Sequence, residues 1–334
     1  MASYTAFGLA IRSNVPVPGL SMLDDLTSPP DVQIWLGTRP PDFPDFCGAD
    51  EQVTYCSRER TDGGEPTLSF SVIGGGTHFR FRYVAGVELV IDRGATRIVG
   101  TWPGDSSLED VAIYLLGPVL AFALRLRGIM SLHSSAIAVD GQAVAFLGPG
   151  GAGKSSTAAF FALAGFPLVS DDVLPLRPRG ECFVAEPTAP RIRLWPESVS
   201  SLLGSADALP LLTPAWGKRY LDVLEHGHGF RREPIPLGAI YVLGERTPDA
   251  DAPLVEPLPK QKALMTLVSH TYVNYLLTPE MRGSEFDVLS RLSDRVPMRL
   301  VTPREDFRSI RPMCGAILED FRSLRARGMA GSRL

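Results

Sequence analysis

Over the first hundred residues, apolar positions alternate with polar ones in short runs. Val32-Gln33-Ile34-Trp35-Leu36 predicts a strand with one buried face. Residues 67–73, 77–84, 87–92 and 97–101 predict four more, with turns at Gly74-Gly75-Gly76, Ala85-Gly86 and Arg93-Gly94. Closely spaced strands with glycine turns predict an antiparallel sheet. Residues 6–11 read as one strand running into the turn-rich Ser13-Asn14-Val15-Pro16-Val17-Pro18-Gly19. His78, Arg80 and Arg82 share one strand face by the period of two, read as a solvated face with an anionic partner as the alternative.

At Ser107 the period changes. Residues 107–127 predict a helix with Ser107 as N-cap, Glu109 and Asp110 in the first turn, and Gly128 just past the end. Gly117-Pro118 predicts a kink or break within it. This switch divides the chain into a β-rich domain over 1–106 and a second domain over 107–334. Two apolar runs follow, 136–139 and 142–147, joined by Asp140-Gly141, a strong two-residue hairpin turn. A helix is expected over 155–164, stopping at Gly165, and a strand over 166–170. Further on, 181–195 reads as β-like, 198–203 as a helix and 239–244 as a strand. Residues 213–228 are polar and glycine-punctuated. Helices are expected over 260–277 and 280–292, a strand over 298–301, and a last helix over 306–327 entered through Arg311-Pro312. The end, 328–334, reads as frayed.

Between the second hairpin strand and the helix lies Gly148-Pro149-Gly150-Gly151-Ala152-Gly153-Lys154-Ser155, a full G-x-x-x-x-G-K-[ST] match. Glycines let backbone N–H groups turn onto phosphate oxygens, and the helix start adds partial positive charge. Gly148, Gly150, Gly151, Ala152, Gly153, Lys154, Ser155 and Ser156 are the expected phosphate contacts of ATP. The Ser155 hydroxyl is an expected Mg²⁺ ligand.

Composition changes the picture little. The chain has 334 residues, 45% hydrophobic and 21% charged, and a net charge of −4. That suits an ordinary globular protein with no general pull toward nucleic acid or an anionic membrane. The longest apolar stretch, 111–124, contains Gly117-Pro118 and is too short to span a bilayer. Met1-Ala2-Ser3-Tyr4-Thr5 lacks a basic segment followed by a cleavable apolar core. The cysteines Cys47, Cys56, Cys182 and Cys314 form no C-x-x-C pair. A cytoplasmic location is the expectation.

The strand at 166–170 delivers Asp171 and Asp172 to its carboxyl end, where ligands of parallel sheets bind. One carboxylate is expected to hold Mg²⁺, with Asp172 in that role. The other accepts the proton of an attacking hydroxyl, with Asp171 favoured. The alternative is a metal-binding pair with no base. Adjacent strand residues point to opposite faces, which predicts separate roles. Arg191, Arg193, Lys218, Arg219, Arg231 and Arg232 are candidates for the remaining positive charge on the phosphates. His133 precedes the hairpin, either in the site or as a structural histidine.

Three features together resemble the HPr kinase/phosphorylase family. They are His133 before the Asp140-Gly141 hairpin, the loop Gly148 to Ser155, and Leu168-Val169-Ser170-Asp171-Asp172. The resemblance implies an α/β fold, a P-loop kinase core of the HPr kinase/phosphoenolpyruvate carboxykinase type, with ATP and Mg²⁺ as cofactors. It also implies Asp171 as base toward a serine hydroxyl, Lys154 and Ser155 on phosphate and Mg²⁺, His133 near the site, and a homo-oligomer. The family's E-I-R-G-L-G segment is absent; Ala185-Glu186-Pro187 and Arg191-Ile192-Arg193-Leu194-Trp195 fall in that region. The front end, with Phe7-Gly8-Leu9 and Ser13 to Leu20, resembles the HPr kinase-like proteins of ribosomal peptide modification clusters. That likeness implies a peptide partner with an acceptor serine, namely the C-terminal serine of a lasso-peptide precursor. A small-molecule hydroxyl kinase and a non-catalytic nucleotide-binding module are the other readings. They separate by whether phosphate reaches a peptide, a metabolite or water.

Overall fold

The computed structural model describes residues 1–26, 28–46, 50–214, 216–249, 251–305 and 310–331, with side chains to residue 327. It divides into two compact units: Met1–Ser131 with Tyr272–Arg282, and Leu132–Thr271 with Gly283–Leu334. The first unit therefore extends past residue 106 and takes in the helical segment that the change of period assigned to the second domain.

The first unit is built on eight strands: β1 (Ala2–Ala6), β2 (Leu9–Ser13), β3 (Val32–Leu36), β4 (Glu51–Cys56), β5 (Leu68–Ile73), β6 (His78–Tyr83), β7 (Glu88–Asp92) and β8 (Arg97–Thr101). Their order is β1-β2-β3-β8-β7-β6-β5-β4. β3 runs parallel to both β2 and β8, so the sheet is mixed rather than antiparallel. The single strand expected over 6–11 is instead a hairpin bend, because Phe7 and Gly8 take φ of 60° and 70°. A bulky residue at positive φ is uncommon, and the apolar run conceals the turn. Arg80 is buried, paired with Glu51 at 2.7 Å and Glu88 at 3.2 Å, so its face is an internal ion-pair network at that position and not a solvated one.

α1 (Leu108–Tyr114) starts with a full capping box between Ser107 and Asp110. A π-turn at Leu115–Val119 carries Gly117-Pro118, after which α2 (Leu120–Leu126) resumes. Phe122 on α2 makes edge contacts with Phe70, Phe79 and Phe81 of the sheet at 5.0–5.7 Å between ring centres. All four rings are buried, so the cluster is part of the unit's core.

The second unit is a nine-stranded sheet with helices. Its strands are β9 (Met130–His133), β10 (Ser135–Val139), β11 (Gln142–Leu147), β12 (Leu168–Ser170), β13 (Val173–Arg179), β14 (Cys182–Ala185) and, later in the chain, β18, β19 and β20. A separate three-stranded sheet uses β15 (Arg191–Leu194), β16 (Leu211–Thr213) and β17 (Trp216–Asp222), in the order β15-β17-β16. β18 spans Ile235–Leu243, β19 Leu254–Pro257 and β20 Met298–Thr302. The large sheet reads β12-β10-β11-β18-β14-β13-β9, with β20 on β18 and β19 on β20.

The β10–β11 hairpin turns at Asp140 (φ 47°) and Gly141 (φ 81°), the backbone that Asp-Gly favours. β11 then runs parallel to β18, while β12 pairs antiparallel with β10. The crossover from β11 to β12 thus passes over the hairpin partner. The helices are α3 (Lys154–Leu163), α4 (Pro196–Leu203), α5 (Lys260–Ser269), α6 (Pro279–Arg295) and α7 (Ile310–Gly331). α5 stops at Ser269, short of the expected 277. The last helix keeps helical backbone to Gly331, where 328–334 read as frayed; its expected first residues, 306–309, lie outside the described residues, as does Cys47. Phe146, Phe161, Ile192, Leu194, Tyr241 and Phe321 belong to one buried core that joins α3, α7 and both sheets.

Candidate functional site

The glycine-rich loop begins where β11 ends. Gly148 has φ of 151°, and a Cβ there would lie 2.9 Å from both the Leu243 carbonyl and the Ala152 side chain, so only glycine fits. Within the loop the Ala152 N–H turns back to the Pro149 carbonyl at 3.2 Å. Gly153, at φ of 100°, is the N-cap of α3, whose first residue is Lys154. The first-turn N–H groups of a helix lack intrahelical acceptors and carry partial positive charge, which makes the site attractive to anions. Gly150 and Gly151 form the exposed tip, while Ala152, Gly153, Ser155 and Ser156 are half-buried.

Lys154 is buried, and its ammonium donates to the carbonyls of Gly148 (2.8 Å) and Pro149 (3.1 Å). Burial lowers its pKa; nearby Lys218 pushes the same way, while Asp171 and Asp172 push it back up. Lysine, both carboxylates and Lys218 therefore share one electrostatic neighbourhood.

β12 ends at Ser170, and the aspartates form a turn rather than continuing the strand. Asp172 sits at φ of 73°, and the Val173 N–H donates to the Asp171 carbonyl at 3.0 Å. The expectation of opposite faces fails for this reason, since alternation needs extended backbone. Both carboxylates meet Arg193. Asp171 accepts from the Ser135 hydroxyl at 2.6 Å and from the Arg193 backbone N–H at 2.9 Å. Asp172 pairs with the Arg193 guanidinium at 3.3 Å and with His133 Nδ1 at 3.2 Å. His133, at the end of β9, thus lies within the same constellation as Asp171 and Asp172.

Of the six candidate cations, Arg193 reaches both carboxylates, and Lys218 acts only through its charge on Lys154. Lys218 holds its ammonium 4.9 Å from the Trp195 ring centre and 5.4 Å from that of Trp216. Arg191 pairs with Asp222 at 3.1 Å and lies over Tyr220. Arg219 pairs with Asp207, and Arg231 donates to the Glu233 carbonyl at 3.3 Å. Arg232 is exposed. Ser156 is tied to α4 by a 2.9 Å bond to the Ser198 hydroxyl. Among the described residues no group of three or more His, Cys, Asp or Glu is placed to hold a metal, and no helix is long and apolar enough to cross a membrane.

No protein-family model matches the chain, and no curated protein matches it. Among solved structures it is similar to the Hpr(Ser) kinase/phosphatase from Coxiella burnetii. The identity is 16% and the TM-score 0.34, over 61% of this chain and 96% of that one. A likeness at that level says nothing of activity.

Two neighbours of the loop escaped the sequence reading. His270 follows the C-terminus of α5; its backbone carbonyl accepts from the His133 N–H at 2.8 Å, and its ring Nδ1 lies 2.8 Å from the Thr266 carbonyl. Burial lowers its pKa, the charges of Lys154 and His133 lower it further, and the carbonyls of Thr266 and Gly148 act in the opposite sense. Arg246 follows β18, with a guanidinium nitrogen 3.8 Å from where a Gly153 Cβ would stand. No local motif marks either residue. Both reach the loop only because β11, β18 and α5 are brought together by the fold.

Proposed function

We propose that the chain is an ATP- and Mg²⁺-dependent kinase that transfers phosphate to a serine hydroxyl of a peptide. The observation that carries this reading is the placement of the Asp171–Asp172 turn beside the glycine loop: Ser135, which donates to Asp171 at 2.6 Å, pairs with Phe146 at the end of the strand that leads into the loop. Phosphoryl transfer asks the protein for a phosphate cradle, cations for developing charge, and a group that orients the nucleophile. Gly148 to Ser155 is the cradle: the close approach at Gly148 keeps backbone, not side chains, at the loop's base. Lys154 and Arg193 supply fixed positive charge beside it.

Asp171 accepts the proton of the incoming hydroxyl. Each carboxylate oxygen already accepts one hydrogen bond, from Ser135 or from the Arg193 N–H, and each retains a second lone pair. Those two bonds fix the carboxylate's orientation while leaving it a proton acceptor. Asp172 and the Ser155 hydroxyl are the residues that would hold Mg²⁺. This sparse donor set fits that ion, which takes one or two carboxylates and completes its shell with phosphate oxygens and water. When bound, Mg²⁺ supplies neutralising charge on the phosphates. His133 holds Asp172 through Nδ1.

The peptide acceptor rests on the resemblance of Phe7-Gly8-Leu9 and the Ser13–Leu20 segment to kinases of ribosomal peptide modification, and the C-terminal serine of a lasso-type precursor is its finer form. ADP release measured with and without a serine-ended peptide tests the kinase reading. Release should depend on the peptide and fall in Lys154→Ala. Slow release indifferent to any acceptor would favour a nucleotide-binding module instead.

A further inference from the structure

A cavity of about 250 Å³ lies against the outer side of the glycine loop. Gly151, Gly153 and the first turn of α3 form one wall, and α4 forms another. The Ser156–Ser198 hydrogen bond ties those two walls together. A third wall is apolar, made by Ile310 and Met313 of α7. Trp195 lines the cavity and is 51% exposed, so its ring is accessible to a ligand there. Among the described residues the lining carries one carboxylate, Glu197, and one guanidinium, Arg246. Apolar walls with a few polar groups are the pattern of a small-molecule site.

We propose that this cavity binds the base of the nucleotide whose phosphates the loop holds, with Trp195 and Arg246 as the planar groups against the ring. The inference rests on the nucleotide reading of Gly148 to Ser155. Aromatic rings and guanidinium planes both stack on heterocycles. Lys218 already lies over the Trp195 ring, so the base takes its other face. Glu197 is acceptor-only when ionised, so it selects a base that offers an exocyclic amine. Adenine, guanine and cytosine have one; uracil offers only a ring N–H flanked by two carbonyl oxygens, which repel a carboxylate. The position is consistent with the loop, because Gly151, Ala152 and Gly153 of the loop line the cavity themselves.

The test uses the full chain and equilibrium dialysis with ATP, GTP, CTP, UTP and inorganic tripolyphosphate, the last having no base. The wild type should bind ATP at least about tenfold more tightly than tripolyphosphate, and UTP more weakly than ATP. Trp195→Ala should weaken ATP by about tenfold or more, the scale of losing a stacked ring, and leave tripolyphosphate unchanged. Trp195 is exposed, so folding should survive. Ser201→Phe, which fills the cavity from its exposed rim, should act in the same way. Equal wild-type affinity for ATP and tripolyphosphate overturns the inference. So do variants that leave ATP binding unaltered or weaken both ligands alike. If the wild type binds tripolyphosphate but the variants fail as above, the loop reading stands and the cavity assignment alone falls. If it binds neither ligand, the loop reading fails and this inference falls with it.

Discussion

Asp171→Asn removes a proton acceptor while leaving the surroundings almost intact. In the wild type one oxygen accepts from Arg193 N–H at 2.9 Å and the other from the Ser135 hydroxyl at 2.6 Å. The asparagine carbonyl still accepts from Arg193. Its amide can donate to Ser135, because a hydroxyl serves as donor or acceptor. Both bonds therefore survive with neutral partners, at a cost of roughly 1–2 kcal/mol in stability. General base catalysis contributes about 10²–10⁴ in rate. Its loss raises the barrier by about 3–5 kcal/mol. Single-turnover transfer of labelled phosphate to a serine peptide should slow by at least about a hundredfold, while dialysis shows unaltered ATP affinity. Transfer at the wild-type rate would refute the assignment and leave Asp171 as a tie between β10 and β15. A parallel loss of ATP binding would show general damage to the site instead.

Gly148→Ala places a methyl 2.9 Å from the Leu243 carbonyl on backbone at φ of 151°, so thermal scans should show a loss of roughly 1–3 kcal/mol and a weakened shift on adding ATP. An unchanged melting temperature and ATP shift would contradict the cradle. Phe122→Ala should destabilise the first unit by about 3–5 kcal/mol, lowering its transition by roughly 10 °C, because Phe122 meets three other rings. A change within about 2 °C, small beside that expectation, would show the cluster to be non-essential. His270, held below its usual pKa of 6.5 chiefly by burial, binds fewer protons folded than unfolded just below that value. Its contribution is complete above about 6.5 and is lost as pH falls through the folded value. His78 is shifted in the same direction by burial and adds to the slope. Melting temperature recorded from about pH 5 to 7.5 should rise with pH, less steeply in His270→Gln; an identical slope would remove His270 from the explanation.

Local chemistry made parts of this molecule legible from sequence. Asp140-Gly141 encodes its turn through positive φ, Ser107 and Asp110 encode a helix start, and the loop glycines announce a close backbone approach. Features set by distant contacts were not legible. Phe7 bends a hairpin inside an apolar run, and Asp172 leaves the extended conformation, so the two carboxylates meet at Arg193 rather than parting. β13 carries Pro175 and Pro178, which argue against a strand, yet it pairs along β14 from Leu176 to Arg179. β17 carries aromatics only at Trp216 and Tyr220, without an apolar face strong enough to read. Its Lys218 is singled out only by the placement of Trp195 and Trp216.

The central claim is that a phosphoryl group ends on a serine oxygen. Mass spectrometry of a serine-ended peptide after incubation with the protein, ATP and Mg²⁺ tests it directly, with fragmentation locating the modified residue. The account predicts one added phosphate on the serine, abolished in Lys154→Ala and strongly reduced in Asp171→Asn. ATP consumed with the peptide unmodified, and phosphate found on a small molecule or in solution, would contradict it.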